Sequence, residues 1–324
     1  MPQRRQPFLH DLVTVLAAPT QVWSAPDGSV RSTASDPGVQ GVLHADVRVL
    51  NRIEVQIDGQ PGEHIATALE GQQATFTHLL RHIAPELATT PDPQLRLDRV
   101  RSVEPGSVEE WLTVSSLLGV PVTVEVSVAF GCDFAGVEVI KRGEAPAAVA
   151  YDVDPGGDEV VWSSDDLDVS LSCAGAEWSL SADRAVLTAT WQLSVPAHGE
   201  SSVSWELGVV DRGGVVGAAL SAPLPAWTGA SNHHRLQPWL DRSLADLNSL
   251  AMVTPDHPDD VFIAAGAPWY LTLFGRDSIW AARRLIPVDL SVARGTLRTL
   301  GRLQGSVIDT ETSEEPGKIM HELR

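Results

Sequence analysis

The chain has 324 residues, 43% hydrophobic and 20% charged. That suits a globular protein of about two domains and excludes a disordered tail, a collagen-like fibre or a small disulfide scaffold. The formal net charge of −19 repels phosphate backbones and anionic lipid, so neither nucleic acid nor a membrane is expected as a partner. The acid excess is uneven: residues 1–230 carry a net −17 and residues 231–324 a net −2. Two differently built parts are expected.

At the N-terminus, Arg4-Arg5 ahead of an apolar stretch from Leu12 to Ala18 has some features of a secretory signal. Pro7 follows the arginine pair, and His10 and Asp11 cut the stretch to about seven residues, the bottom of the h-region range. No apolar run reaches the length of about 18 residues that a membrane helix needs. The segment is expected to be a first strand of a cytoplasmic protein.

Alternation of period two dominates residues 1–210. Val47, Val49, Ile53, Val55 and Ile57 alternate with Arg48, Arg52, Glu54 and Gln56, up to a turn at Asp58-Gly59. Val122, Val124, Val126, Val128 and Phe130 repeat the pattern, as do Leu167, Val169, Leu171 and Cys173. So do the runs from Ala185 to Val195 and from Val203 to Val209. Side chains of successive strand residues point to opposite faces, so each run predicts one buried and one solvated face. Many such runs between Gly, Pro and Asp turns predict an antiparallel β-sandwich. Cys132 and Cys173 are too few for a disulfide framework and are read as buried thiols. The acidic residues Asp152, Asp154, Asp158, Glu159, Asp165, Asp166 and Asp168 lack the spacing of an EF-hand loop. They are read as a solvated loop; no metal or other cofactor is expected.

Near residue 222 the pattern changes. Pro223, Pro225 and Gly229 predict a linker over 223–235, between a β domain over 1–222 and a helical part over 236–324. Leu236, Trp239, Leu240, Leu244, Leu247 and Leu250 fall at helical spacing. A second helix is predicted from Asp277 to Pro287. A third is predicted from an Asp289 N-cap to a Gly305 C-cap, followed by a polar loop over 306–318. His233-His234 is placed in the linker and exposed. Three helices with apolar faces cannot enclose a core alone.

The second part carries a resemblance. Ala267-Pro268-Trp269-Tyr270-Leu271-Thr272-Leu273-Phe274-Gly275-Arg276-Asp277-Ser278 resembles the opening motif of bacterial glycogen-debranching amylo-α-1,6-glucosidases. Pro287-Val288-Asp289, the segment 295–300 and Glu314-Glu315-Pro316-Gly317-Lys318-Ile319-Met320-His321-Glu322-Leu323-Arg324 continue it. Upstream, residues 41–50 resemble the start of that family's β domain. The resemblance implies an N-terminal β-sandwich followed by the first helices of an incomplete (α/α)6 barrel. It implies an α-glucan or oligosaccharide partner, and a missing C-terminal part of the barrel that would hold the catalytic residues. Such barrels use one carboxyl to protonate the leaving oxygen and another to activate water; neither is assigned here, and the chain alone is expected to be inactive.

The resemblance also implies that Arg276 and Asp277 lie at a sugar subsite. Asp277 would accept hydroxyl hydrogen bonds, and Arg276 would fix its carboxylate and donate to a hydroxyl. Such charge-assisted bonds are the strong ones. The competing role for Asp277 is a helix cap paired with Arg276. Trp269 and Tyr270 would offer a flat apolar face to a pyranose. Glu314, Glu315, Lys318, His321 and Glu322 share the last loop, where a carboxylate would reach a sugar or be merely solvated. His321-Glu322 is not a zincin motif, because no second His follows. A non-catalytic glucan-binding or barrel-supporting β module is the alternative reading.

Overall fold

A computed structural model describes residues 6–33, 35–87, 91–144, 146–151, 157–219, 223–225 and 233–324. Arg4-Arg5, Asp152, Asp154, residue 222 and Gly229 lie outside the described residues. In chain order, the first strands are β1 (Val13–Ala17), β2 (Thr20–Ser24), β3 (Val30–Arg31), β4 (Gly41–His44), β5 (Val47–Leu50) and β6 (Arg52–Ile57). Then come β7 (Glu63–Glu70), β8 (Gln73–Leu79), β9 (Leu95–Glu104), β10 (Ser107–Ser116), β11 (Val122–Gly131) and β12 (Ala135–Gly136). A five-residue helix α1 (Val137–Lys141) precedes β13 (Glu159–Ser163), β14 (Leu167–Ser172), β15 (Glu177–Leu180), β16 (Leu187–Val195) and β17 (Glu200–Asp211).

The chain divides into two compact units, one of residues 1–15 and 22–212 and another of residues 16–21 and 213–324. The strands β1 to β17 form three sheets. Their orders are β1-β2-β4-β5-β12, β13-β14-β17-β10-β9-β8-β7 and β15-β16-β11-β6-β3. Every strand pair with a resolved register between β3 and β17 is antiparallel. The alternating runs behave as expected where they lie in the second and third of these sheets. Val126, Val128 and Phe130 of β11 are buried, and so are Leu167, Val169 and Leu171 of β14. Phe130 meets Trp205 of β17 edge to face, with ring centroids 5.3 Å apart, so the inner faces of these two sheets touch. Cys132 and Cys173 are free and buried, and burial pushes the Cys132 thiol up to about 12.

The run from Val47 to Ile57 is not one strand. It breaks at the buried Asn51, whose N–H donates to Gly131 O (2.9 Å) and whose carbonyl accepts from Ser32 N (3.0 Å). The two halves, β5 and β6, join different sheets. Arg48 is therefore not on a solvated face. It is fully buried and donates to Asp133 through Nε (3.1 Å) and Nη2 (2.5 Å). A second set of buried charges lies on the core face of β9 and β10. Arg99 and Arg101 both donate to the Glu110 carboxylate, at 2.6 to 2.8 Å. The carbonyls of Asp27 and Gly28 take further guanidinium N–H groups, and the Phe76 ring lies against both arginines.

The second unit contains β18 (Gly217–Ala218), helix α2 (Leu236–Ser249), β19 (Ala251–Thr254), β20 (His257–Ile263), α3 (Gly275–Leu285) and α4 (Ser291–Arg302). It is not purely helical, as the spacing predicted: an antiparallel sheet β18-β19-β20 lies among its helices. The hairpin is buried on both faces. Met252 and Phe262 join Leu271, Leu273 and Leu300 in one core. Ala251 and Ile263 join Leu244, Ala282, Leu285 and Val292 in another. A strand covered on both faces loses its period-two signature. The expected linker is partly anchored, because Asn248 of α2 exchanges hydrogen bonds with the backbone of the buried Leu224.

Helix α4 lies close against β20. A Cβ on Gly295 would sit 2.2 Å from Val261 O, so only glycine permits the approach. Asp260 of β20 accepts from Arg302 (2.7 Å) and Arg298 (3.3 Å) on the same helix. Its burial raises the carboxyl, and these two arginines outweigh that and hold it below the ordinary carboxylate range. Gly295→Ala should thus destabilise the second unit by about 1–3 kcal/mol or more through overpacking. Gly301→Ala, at a position of the same helix with open space around it, should instead stabilise by up to about 1 kcal/mol. Thermal unfolding of the two variants side by side checks the pair; a Gly295→Ala midpoint at or above wild type would contradict the packing.

Candidate functional site

The opening motif folds back on itself. Gly266 and Tyr270 exchange backbone hydrogen bonds of 3.0 and 2.9 Å, and the chain then enters α3 at Gly275. Phe274 is the N-cap and makes no side-chain cap bond. Its N–H donates to Ser278 Oγ (3.3 Å), and Ser278 Oγ donates to Ile263 O (2.9 Å), which ties the helix start to β20. Asp277 is therefore in the first turn rather than at the cap position. It is exposed, with no protein partner among the described residues. Arg276 is exposed too and does not pair with Asp277: its Nη1 lies 3.3 Å from His321 Nδ1.

The last loop is brought to the same place. Phe274 and Glu322 form an isolated antiparallel bridge. Gly275 N donates to His321 O (3.1 Å), Leu323 N to Leu273 O (3.0 Å), and Thr272 Oγ1 to Leu323 O (2.6 Å). A Cβ on Gly275 would lie 2.4 Å from Met320 O, so the glycine is what lets the two segments meet. Tyr270, Phe274 and His321 follow one another as edge-to-face rings, with centroids 5.4 and 5.6 Å apart.

A cleft of about 430 Å³ opens beside this surface, with Gly305, Glu314, Lys318, His321 and Glu322 in its wall. Glu314 Oε1 accepts from Ser306 N (2.8 Å) and Val307 N (3.2 Å), so it braces the loop. Lys318 Nζ donates to Ser313 O (2.5 Å). Glu322 Oε2 lies 3.4 Å from Arg324 Nε. Gly305 is not a C-cap, because α4 ends at Arg302 with Leu303 as its cap. Instead Gly305 N donates to Lys318 O and Gly317 N to Gly305 O, both at 2.8 Å, which closes the loop's base. Asp289 precedes its helix by two residues and accepts from Ser291 N (2.6 Å).

Of the expected site residues, the fold groups Tyr270, Arg276 and Glu322 around His321, with Asp277 next to Arg276 on the first turn. Lys318 shares the cleft wall with Glu322; Glu315 is exposed and outside that wall. Trp269 does not offer a sugar-binding face. It is 4% exposed, packed inside, and its carbonyl accepts from Arg324 Nη2 (2.5 Å). Tyr270 is the exposed member of the pair, at 43%. Sequence spacing did not reveal that His321, 45 residues from Arg276, is its partner. Among the described residues no group of three or more His, Cys, Asp or Glu side chains could hold a metal ion. No described helix is long and apolar enough to cross a membrane.

The chain is built mainly of antiparallel β sheets, with helices in its second unit, and the family comparison is specific about the first part. The chain belongs to the family of N-terminal domains of some glycogen debranching enzymes, whose family model matches residues 15–206. No curated protein matches the chain significantly. Among solved structures, a human-microbiome protein described as a kojibiose phosphorylase aligns with a TM-score of 0.40 and 8% identity, over 61% of this chain and 29% of that one. A galactose mutarotase-like protein from Lactobacillus casei aligns with a TM-score of 0.38 and 10% identity, over 61% of this chain and 100% of that one. Another, from Clostridium acetobutylicum, gives 0.37 and 6%, over 62% and 95%.

Proposed function

We propose that the chain supplies the β module and the opening helices of an α-1,6-glucosidase of glycogen breakdown, and that by itself it binds α-glucan without hydrolysing it. On this reading α2, α3 and α4 belong to an (α/α)6 barrel, the β module supports it, and the protein works in the cytoplasm. The observation that carries the binding half is the convergence of the two motif segments. Residues 270–277 and 318–322 form one surface beside a cleft with hydrogen-bonding groups in its wall.

The expectation of no hydrolysis is supported by carboxyls of the second unit. A general acid needs a raised pKa so that it carries its proton at neutral pH. For Asp260, Asp289 and Asp309 the shifts run the other way. Hydrogen bonds from Ser291 hold Asp289 below the ordinary range. Hydrogen bonds from Glu311 N and from Thr312 do the same for Asp309, and Asp260 is lowered as described above. Glu314 is committed to two backbone N–H groups.

Co-sedimentation with glycogen and glucose release should be measured on one preparation. The expected outcome is retention on glycogen with no glucose above the uncatalysed background. Sustained glucose release would show that an acid and a base are already in place, with Glu315 and Glu322 the first to test.

A further inference from the structure

His321 holds a position that the motif alone did not assign. A guanidinium has only donors, so the 3.3 Å contact between Arg276 Nη1 and His321 Nδ1 makes Nδ1 the acceptor. A neutral imidazole that accepts at Nδ1 carries its proton on Nε2. The residue is held at two more points. Gly275 N fixes the backbone carbonyl, and Phe274 meets the ring edge to face at 73°. His321 lines the cleft, and Nε2 is its one ring nitrogen without a protein partner among the described residues. The neighbouring Lys318 ammonium is committed to Ser313 O.

We propose that His321 is a sugar-binding residue, kept as the Nε2–H tautomer by Arg276 so that Nε2–H donates to a glucan hydroxyl. Arg276 then acts as a positioning residue for His321 rather than through the sugar itself. A hydroxyl both accepts and donates, and the Glu322 carboxylate in the same wall supplies an acceptor beside the His321 donor. A neutral polyol suits that pairing better than an anion, which Glu322 would repel. The inference rests on the glucan-binding reading above.

The test is long-range proton–nitrogen correlation NMR of the ¹⁵N-labelled chain in mildly alkaline buffer, titrated with maltotriose and with isomaltotriose. The His321 signal is assigned by its loss in His321→Gln. The expected result is the Nε2–H tautomer in the free protein, an Nε2 resonance that moves on adding sugar, and loss of the tautomer bias in Arg276→Met. Affinities of two variants add a second readout. In His321→Asn the amide oxygen can replace Nδ1 as the partner of Arg276, but no donor replaces Nε2. In His321→Gln an amide donor replaces Nε2. Binding should weaken roughly three- to tenfold in the Asn variant, one neutral hydrogen bond, and less than about twofold in the Gln variant. An Nδ1–H tautomer, an unmoved Nε2 in a protein that binds sugar, or equal losses in the two variants would overturn the role of His321 and leave the glucan reading standing. Failure of the wild-type chain to bind either sugar would overturn the glucan reading, and this inference with it. The wild-type spectrum decides the tautomer even if a variant fails to fold.

Discussion

Glu110→Gln should cost the β unit about 3–5 kcal/mol. Glu110 is fully buried between Arg99 and Arg101, which are equally out of water. A buried ion pair adds little net stability compared with a well-packed apolar core, but removal of one partner leaves the other charge uncompensated. Here one carboxylate is hydrogen-bonded to two guanidinium groups, with Asp27 the other acid that acts on them, so its loss leaves excess positive charge buried. The thermal midpoint of the β unit should fall by on the order of 10 °C. A control at the exposed Glu104 should stay within about 0.5 kcal/mol of wild type. The pH dependence has a definite sign. Burial raises the Glu110 carboxyl, and Arg101 and Arg99 outweigh that, so its folded pKa lies below the ordinary value. Its stabilising contribution is present above the unfolded carboxylate pKa and is lost as pH falls through the folded one. The Gln variant should lack that share of the acid-limb slope. A Gln variant that melts like wild type would show that the three side chains do not form a buried cluster.

Asp133→Ala should be the second large loss, about 3 kcal/mol. Arg48 is fully buried and receives its only carboxylate among the described residues from Asp133. Its Nη1 donates to Ser32 Oγ (2.9 Å), Gly38 O (2.8 Å) and Gln40 O (3.1 Å). Those neutral acceptors keep some of the guanidinium's hydrogen bonds, which places the cost at the low end of the range. Asp133 Oδ1 also accepts from Ala135 N (3.2 Å), so β12 should loosen with it. Hydrogen exchange of the Ala135 amide, alongside the melting curve, checks both parts. A fully protected Ala135 amide with an unchanged midpoint would contradict the assignment.

These two sites show where sequence reading stopped. The runs in β11, β14, β16 and β17 were legible because each has one buried and one more polar face, so period two survives in the letters. Arg48 follows the same alternation yet points inward, as do Arg99, Arg101 and Glu110. A charge on a core face is recognisable only through its partner, and Asp133 is 85 residues from Arg48. The β19–β20 hairpin was hidden for a different reason. Both of its faces are covered, so its residues show no period-two alternation and no strand was predicted there.

The helix limits were displaced by one or two residues because the caps are not the side chains that spacing suggests. Phe274 and Leu290 stand at the N-cap positions without side-chain caps, and Ser278 and Asp289 make the nearby bonds. At the candidate site, the motif pointed to Tyr270, Arg276, Asp277 and Glu322. It did not show that Trp269 turns inward, or that Arg276 spends its guanidinium on His321 rather than on Asp277. That Gly275 must be glycine became clear only from its distance to Met320 O.

Asp277 carries the central claim most directly, because no described residue uses its carboxylate. Conversion to Asn removes a charge from the first turn of α3, where the helix dipole is worth about 0.3–1 kcal/mol, so the melting midpoint should barely move. If the carboxylate grips sugar hydroxyls, the same change removes charge-assisted hydrogen bonds of about 1.5–3 kcal/mol each. That corresponds to a roughly ten- to hundredfold rise in Kd. The deciding measurement is the affinity for isomaltotriose by titration calorimetry on wild type and Asp277→Asn, with the midpoint of each recorded on the same samples. The account predicts at least a tenfold weaker Kd at an unchanged midpoint. Equal affinities at equal midpoints would contradict it and take Asp277 out of the sugar site.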